Sequence, residues 1–259
     1  MALVEPTQQQ VLSFCAQEPV ERVFLEDVAR RGFGRFLALE DDDGGLSALC
    51  HAGVNVVPSG PGTAAFADAA AGARSRMIIG ERAAVGELWE SARDRLPAPR
   101  EDRPRQPVYS IAEPPSSGET GLRPAEHADL ERLIPACAAA NQLELGIDPL
   151  ADDPDGFRWR TEAQIAEGRS WLWLEDDVVL FKAEASAWTP QAVQVQQVWV
   201  DPEVRGRGYG RRGMRDLVRL LLRTTPVVTL FVRSENDVAI ATYESIGMQK
   251  VLEYRSILF

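Results

Sequence analysis

Cysteine and histidine are scarce in this sequence of 259 residues, and their scarcity excludes several kinds of site. The three cysteines, Cys15, Cys50 and Cys137, are odd in number and lack paired spacing, which favours buried free thiols over a disulfide framework or a zinc site. Only two histidines occur, too few for catalysis that relies on imidazole pairs or triads. Basic residues are also few: the formal net charge of -11 argues against duplex nucleic acid as a partner. We therefore expect neither a metal nor a nucleic-acid partner.

Long apolar runs are absent as well. No stretch approaches the roughly 18 apolar residues of a membrane span, and the N-terminus lacks the basic region and apolar run of a signal peptide. With 45% apolar and 26% charged residues, the chain has enough apolar material for a core. We expect a soluble, cytoplasmic protein with no membrane partner.

A proline-rich and charged stretch at residues 96–107 is the best candidate for a domain linker, because proline interrupts helices and few of its side chains are apolar. A second break, Pro-Pro-Ser-Ser-Gly, lies at 114–118, and the strand-like segment at 108–111 between the two breaks could belong to either side. We therefore divide the chain into an N-terminal domain at 1–105, a linker at 106–119 and a C-terminal domain at 120–259.

Hydrophobic periodicity predicts a similar order of elements in each half. The N-terminal half is expected to form strands at 36–39, 46–50, 54–57 and 77–79 and helices at 63–73 and 82–92. The C-terminal half is expected to form helices at 126–140, 209–223 and 237–246 and strands at 171–174, 178–185, 193–200, 227–232 and 249–258. The pattern predicts an α/β protein and suggests an internal duplication.

A glycine-rich loop with the sequence RGRGYG at 205–210 lies between a predicted strand and a predicted helix. Glycine lets backbone N–H groups turn toward a ligand, and a helix N-terminus adds partial positive charge, so the loop is suited to a diphosphate. The Walker and Rossmann patterns do not match, because no Gly-Lys-Ser/Thr follows and the glycine spacing differs. A purely structural turn is the alternative.

This loop resembles the Q/R-x-x-G-x-G/A pyrophosphate loop of the GNAT acetyltransferases. The segment that begins at Asn236 and includes Tyr243 is similar to the second signature of that family, with Met248 where phenylalanine is more usual. The resemblance covers residues 120–259. It implies a mixed, mostly antiparallel central sheet flanked by helices. It also implies an N-acetyltransferase that uses acetyl-CoA (coenzyme A) as co-substrate and a small-molecule or peptide amine as acceptor.

The resemblance implies a role for individual residues. Backbone groups of Val198 and Val200, together with Asn236, are expected to bind the acyl and pantetheine portion of the cofactor. Tyr243 is expected to protonate the leaving thiolate, although a core tyrosine with a satisfied hydroxyl is the alternative. The pyrophosphate is expected at the backbone amides of the loop, namely Arg205, Gly206, Arg207, Gly208, Tyr209, Gly210 and Arg211.

The general base is not evident from the sequence. Several members of the family use a glutamate on the strand that here occupies 193–198, and this strand carries no carboxylate. Glu184 on the preceding strand and Glu144 near the expected acceptor entrance are substitutes, with a surface or structural role as the alternative for each. The missing glutamate leaves a second class of function open, a non-catalytic sensor that binds acyl-CoA.

The N-terminal half lacks a second glycine-rich loop of this kind. Its nearest analogue, at 57–63, contains Pro58 and Pro61, which remove amide donors that a phosphate would need. We expect a degenerate acetyltransferase-like half that helps to shape the acceptor site, as in the two-domain actinobacterial GNAT proteins that the chain resembles. The fragment from Thr120 onward is accordingly expected to bind coenzyme A by itself.

Overall fold

The computed structural model describes residues 2–259, which form one twelve-stranded sheet with flanking helices. The strands of the first half are β1 (Ala2–Val4), β2 (Arg35–Glu40), β3 (Leu46–Ala52), β4 (Asn55–Ser59), β5 (Met77–Glu81) and β6 (Glu101–Ile111). Its helices are α1 (Gln8–Cys15), α2 (Val23–Arg30), α3 (Ala67–Gly72) and α4 (Arg82–Ala92). All three cysteines are free and buried, as the composition predicts.

The second half repeats this plan with more helices. Its strands are β7 (Leu122–Pro124), β8 (Ser170–Glu175), β9 (Val178–Trp188), β10 (Ala192–Val200), β11 (Val227–Phe231) and β12 (Gln249–Leu258). Its helices are α5 (Leu130–Leu145), α6 (Pro149–Asp152), α7 (Pro154–Ala166), α8 (Tyr209–Leu221) and α9 (Asp237–Ser245). Within residues 2–259, no helix combines the length and the apolar character that crossing a bilayer requires.

The strand order is β1-β2-β3-β4-β5-β12-β6-β11-β10-β9-β8-β7. Only two neighbouring pairs are parallel, β4 with β5 and β10 with β11, and each is joined by a helical crossover. All other pairs are antiparallel, which confirms the predicted mixed, mostly antiparallel sheet. The same succession of strands occurs in each half, as an internal duplication predicts.

The last strand of each half pairs with the other half. β6, which ends the first half, is hydrogen-bonded to β11, where Val108 pairs with Phe231. β12, which ends the second half, is hydrogen-bonded to β5, where Tyr254 pairs with Glu81. β6 and β12 also pair with each other, so the sheet runs without a break from one half into the other.

The prediction of an irregular linker at 96–107 was wrong, because β6 begins at Glu101 and lies between two strands. Pro104 is accommodated at a register shift, since Pro104 and Arg105 lie between the pairs Gln106↔Tyr254 and Arg103↔Ser256. Pairing with β11 starts only at Val108, so both prolines of the strand precede it. The predicted linker at 106–119 therefore contains the second part of β6.

A buried ion pair also joins the halves. Asp27 on α2 accepts hydrogen bonds from Arg169 Nη2 at 2.7 Å and from the backbone N–H of Trp188 at 3.2 Å. The side chains of Asp27 and Arg169 are only 5% and 11% exposed, and each has a further ionic partner, since Arg31 lies 3.8 Å from Asp27 and Glu167 lies 3.2 Å from Arg169. The two halves are thus tied by strand pairing and by charge.

This arrangement revises the expectation that the fragment from Thr120 binds coenzyme A by itself. A chain of residues 120–259 lacks β6, which leaves the hydrogen-bonding edge of β11 without its neighbour. We predict that this fragment loses cooperative thermal unfolding and binds coenzyme A far more weakly than the full chain, whereas a fragment of residues 96–259 retains more of both. Calorimetry of the three proteins checks this, and full-strength binding by residues 120–259 would contradict it.

Candidate functional site

The glycine-rich loop faces an open space. The N–H groups of Arg205 and Arg207 donate to the carbonyl oxygens of Pro202 and Val204, at 3.4 and 3.3 Å, so the remaining donors for a ligand are those of the glycines and of the first α8 residues. Gly206 and Gly208 have φ of +75° and +79°, a conformation that residues with a side chain rarely adopt. A Cβ placed on either glycine would meet nothing within 4 Å. Helix α8 starts directly after Gly208, which carries no capping side chain. The first amides of α8 therefore face open space, as a diphosphate site requires.

The parallel strands β10 and β11 separate shortly after their pairing begins. Their parallel pairing ends at Gln194 and Thr229, although both strands continue. Between Gln196 and Trp199 the register of β10 against β9 shifts, and Gln197 takes a φ of +53°. This bulge re-aims the strand and opens a gap on the side of β11.

A pocket of about 190 Å³ occupies the gap. Three of the residues singled out from the sequence line it, Val198, Asn236 and Tyr243, and so does one of the two candidate bases, Glu144. The glycine loop follows the same strand, beyond Val200. The structure therefore places Glu144, Tyr243 and the strand gap together and places Glu184 elsewhere.

The Glu144 carboxylate acts electrostatically on the Tyr243 phenol. Tyr243 is 7% exposed, and burial, followed by the nearby Glu144 carboxylate, raises the pKa of its phenol above the ordinary value. Glu144 as a residue is partly exposed, but its carboxylate is enclosed, and this burial raises its pKa. A phenol that stays protonated beside a carboxyl group with a raised pKa is suited to proton transfer in both directions.

Gln197 is a site residue that the sequence reasoning missed. Its Nε2 donates to Glu144 Oε2 at 2.6 Å and its Oε1 accepts from Asn141 Nδ2 at 3.4 Å. The amide therefore orients the Glu144 carboxylate. The adjacent glutamines at 196–197, which break the apolar alternation of the strand, were the available signal for the bulge.

Glu184 lies on β9 in a buried ionic cluster. Its Oε1 accepts from Lys182 Nζ at 2.6 Å and from Cys137 Sγ at 3.3 Å. Lys182 is fully buried, so Glu184 provides the countercharge that this ammonium needs. Burial raises the pKa of the Cys137 thiol to about 12, which keeps it protonated. These contacts support a structural role for Glu184, while the catalytic role considered for it stays a prediction.

A second, larger cavity of about 610 Å³ lies between the halves. Cys137, Glu184 and Gln196 contribute from the C-terminal half, and Arg76 and Met77 contribute from the N-terminal half. Gln196 and Gln197 line both cavities, so the bulge of β10 separates the two. A molecule in the larger cavity would approach the smaller pocket along these glutamines.

Two other residues singled out from the sequence have internal contacts. Asn236 Oδ1 accepts from the backbone N–H of Ala239 at 3.1 Å and so caps α9, which leaves its amide NH₂ for a ligand. Arg205 Nε donates to the carbonyl oxygen of Val200 at 3.1 Å. The Arg205 side chain therefore fixes the end of β10, whereas the roles expected of its backbone and of Val200 stay predictions.

The corresponding loop of the N-terminal half is filled by the protein itself. The backbone N–H of Gly62 donates to Glu87 Oε2 at 2.9 Å. A carboxylate of α4 thus occupies a backbone donor that could otherwise face an anion. Together with the two prolines of this loop, this contact supports the prediction that the N-terminal half has no diphosphate site of this type.

Comparison with known proteins relates both halves to described families. Residues 138–248 match the acetyltransferase (GNAT) family, and residues 34–133 match a domain of unknown function (DUF4081). A solved structure of a GCN5-related N-acetyltransferase from Sphaerobacter thermophilus superposes with a TM-score of 0.64 at 16% identity, covering 99% of this chain and 94% of that one. At that identity the likeness shows the fold.

Two relatives are similar in sequence. The N-alpha-acetyltransferase RimI of Mycobacterium tuberculosis is 45% identical over 62 residues, which cover 24% of this chain and 38% of that protein. A mycothiol acetyltransferase of Mycobacterium marinum is 26% identical over 280 residues, which cover 94% of this chain and 84% of that protein. The chain spans less than half the length of the first relatives that it matches.

We predict that Gly208→Val abolishes binding of coenzyme A. Valine at φ of +79° is strained, and its side chain would enter the space in front of the first α8 amides. Loss of one or two phosphate hydrogen bonds should raise Kd by about 100-fold or more. Calorimetric titration with coenzyme A measures this Kd.

Gly32→Val is the matched control, because Gly32 has φ of +69°, also faces open space and lies in the N-terminal half. This variant carries the same backbone strain and should bind coenzyme A as the unaltered protein does. Unchanged affinity in a folded Gly208→Val variant would exclude the loop as the diphosphate site.

Proposed function

Because the C-terminal domain belongs to the GNAT acetyltransferase family, we propose that this protein transfers an acetyl group from acetyl-CoA to a primary amine. The observation that carries the proposal is the convergence of a tyrosine, a carboxyl group and a strand gap on one pocket, next to a glycine loop with free amides. The loop is suited to the diphosphate of coenzyme A and the gap to its extended pantetheine arm. Val198 and Asn236 line the gap and would bind this arm.

In the proposed reaction, Glu144 accepts a proton from the acceptor ammonium and leaves a neutral amine. The amine nitrogen attacks the thioester carbonyl carbon, and the carbon–nitrogen bond forms. The tetrahedral intermediate then collapses as the carbon–sulfur bond breaks, and Tyr243 donates its phenolic proton to the departing thiolate. The nitrogen loses its second proton, which reprotonates the Tyr243 phenolate through solvent, and Glu144 releases its proton to solvent. The raised pKa of both groups agrees with these roles, since the acid stays protonated and the base titrates nearer neutrality.

The cavity between the halves is the proposed route by which the acceptor reaches the smaller pocket. Relatives described as mycothiol acetyltransferases support a small-molecule amine as the acceptor. The N-terminal half would then contribute to acceptor binding through residues such as Arg76 and Met77, without a cofactor of its own. Release of free coenzyme A with a panel of amines tests the proposal, because a sensor would bind acetyl-CoA without turnover.

We predict that Tyr243→Phe lowers kcat by about tenfold or more while the affinity for acetyl-CoA stays nearly unchanged. General acid catalysis contributes about 100-fold at its usual lower limit, and we expect a smaller loss here because a thiolate leaves more readily than most groups. The ring keeps its packing against Tyr109, whose ring centroid lies 6.3 Å away. Single-turnover kinetics and calorimetry measure the two quantities. A wild-type rate under conditions in which chemistry is limiting would remove Tyr243 from the mechanism.

We predict that Glu144→Gln lowers kcat/KM by about 100-fold or more and removes the acidic limb of its pH profile. Burial raises the pKa of Glu144, so activity should be lost as pH falls through a value above that of an ordinary glutamate. The comparison variant Glu184→Gln leaves Lys182 without its countercharge and should lower Tm while keeping this limb. If Glu184→Gln removed the acidic limb and Glu144→Gln kept it, Glu184 would be the base and Glu144 the structural residue.

A further inference from the structure

Three buried side-chain N–H groups around the narrow pocket have no acceptor among residues 2–259. They are Arg103 Nε, Arg233 Nε and Trp199 Nε1, and all three residues line the pocket. Buried donors in folded proteins are nearly always paired, because an unpaired buried donor costs about 1–3 kcal/mol. Three such groups around one pocket indicate a ligand that supplies acceptor oxygens.

The two arginines are held in place by their remaining nitrogens. Arg103 Nη2 donates to Glu101 Oε2 at 2.7 Å and to the Glu144 carbonyl oxygen at 2.8 Å. Arg233 Nη2 donates to the same carbonyl oxygen, and its Nη1 lies 3.9 Å from Glu101 Oε1. Each guanidinium is therefore fixed by protein contacts, although its Nε remains unpaired.

Charge alone does not identify the ligand of this cluster. The neighbouring Arg103 hydrogen bond lowers the pKa of the Glu101 carboxyl group, and the Glu144 and Glu235 carboxylates also interact with both arginines. The unpaired Nε groups are the informative feature. The Arg103 side chain is only 10% exposed, and a carboxylate is the acceptor that forms the strongest hydrogen bonds with a guanidinium N–H.

The cluster also lies close to the proposed general base. Both guanidiniums hold the backbone carbonyl of Glu144, whose own carboxylate lines the same pocket. The site for the reacting amine and the two arginines are therefore separated by about the length of one glutamate side chain. A molecule whose carboxylate lies one or two bonds from its amine could reach both the arginines and the base.

We propose that the acceptor is an α-amino acid or a similar amine with a nearby carboxylate, and that Arg103 and Arg233 bind this carboxylate while Glu144 receives the proton of the amine. The proposal rests on the function proposed above and adds the acceptor class. An acyl donor with a terminal carboxylate would satisfy the same arginines. We favour the acceptor as the source because the cluster surrounds the residue that handles the amine.

The test compares, with acetyl-CoA and the full-length protein, a panel of free amino acids with their carboxamides and with the corresponding amines that lack the carboxyl group. The expected kcat/KM is about 10-fold to 100-fold higher for the amino acid, mainly through KM, because a charged hydrogen-bond partner is lost in the analogues. In Arg233→Gln this preference should fall to nearly one, with an unchanged Kd for acetyl-CoA.

Arg233→Lys, which keeps the charge but loses the planar fork, should recover part of the preference. Arg158→Gln is the matched control, because this arginine lies on α7 and pairs only with Glu131. Equal or better acetylation of the carboxylate-free amines would overturn the acceptor class while leaving acetyl transfer intact. Turnover only with succinyl-CoA would assign the arginines to the acyl donor and would also overturn the proposed acceptor class. Absence of transfer to any amine would overturn the proposed acetyltransferase function itself.

Discussion

The separation of β10 and β11 after Gln194 and Thr229 is the constraint on which the candidate site depends. Two parallel strands that stayed paired would leave no backbone free for a ligand and no passage between the faces of the sheet. The bulge at Gln197 prevents that pairing and places its amide on Glu144. The same deformation therefore opens the pocket and orients the carboxyl group that we assign as the base.

The exchange of terminal strands explains why the second half needs the first. β6 supplies the second neighbour of β11 and carries Arg103 to the pocket wall, whereas β12 completes the N-terminal part of the sheet. The N-terminal half has its own parallel pair, but Glu87 binds its loop internally. This half thus contributes a sheet neighbour for β11 and residues of both cavity walls.

Elements with regular apolar periodicity were predictable from the sequence, as with α4, whose bounds agree at both ends, and with α9. The end of β6, at 108–111, was recognisable as strand-like. Its first part was not, because the prolines and charges there are tolerated only beside a register shift and before β11 pairs with it, and the sequence does not show strand neighbours. The glycine loop and Tyr243 became candidates through the resemblance to the two signatures of the family. Our preference for Glu144 over Glu184 could not come from the sequence, because it depends on Lys182, whose burial and pairing arise only from tertiary packing.

The central claim is that the gap between β10 and β11 holds the acetyl donor with its thioester between Glu144 and Tyr243. A crystal structure of the full chain with acetyl-CoA tests it most directly. The account predicts diphosphate density at the amides that follow Gly208, pantetheine beside Val198 and the thioester sulfur within hydrogen-bonding distance of the Tyr243 hydroxyl. Cofactor density in the N-terminal half alone, or a thioester on the far side of the sheet from Tyr243, would contradict it.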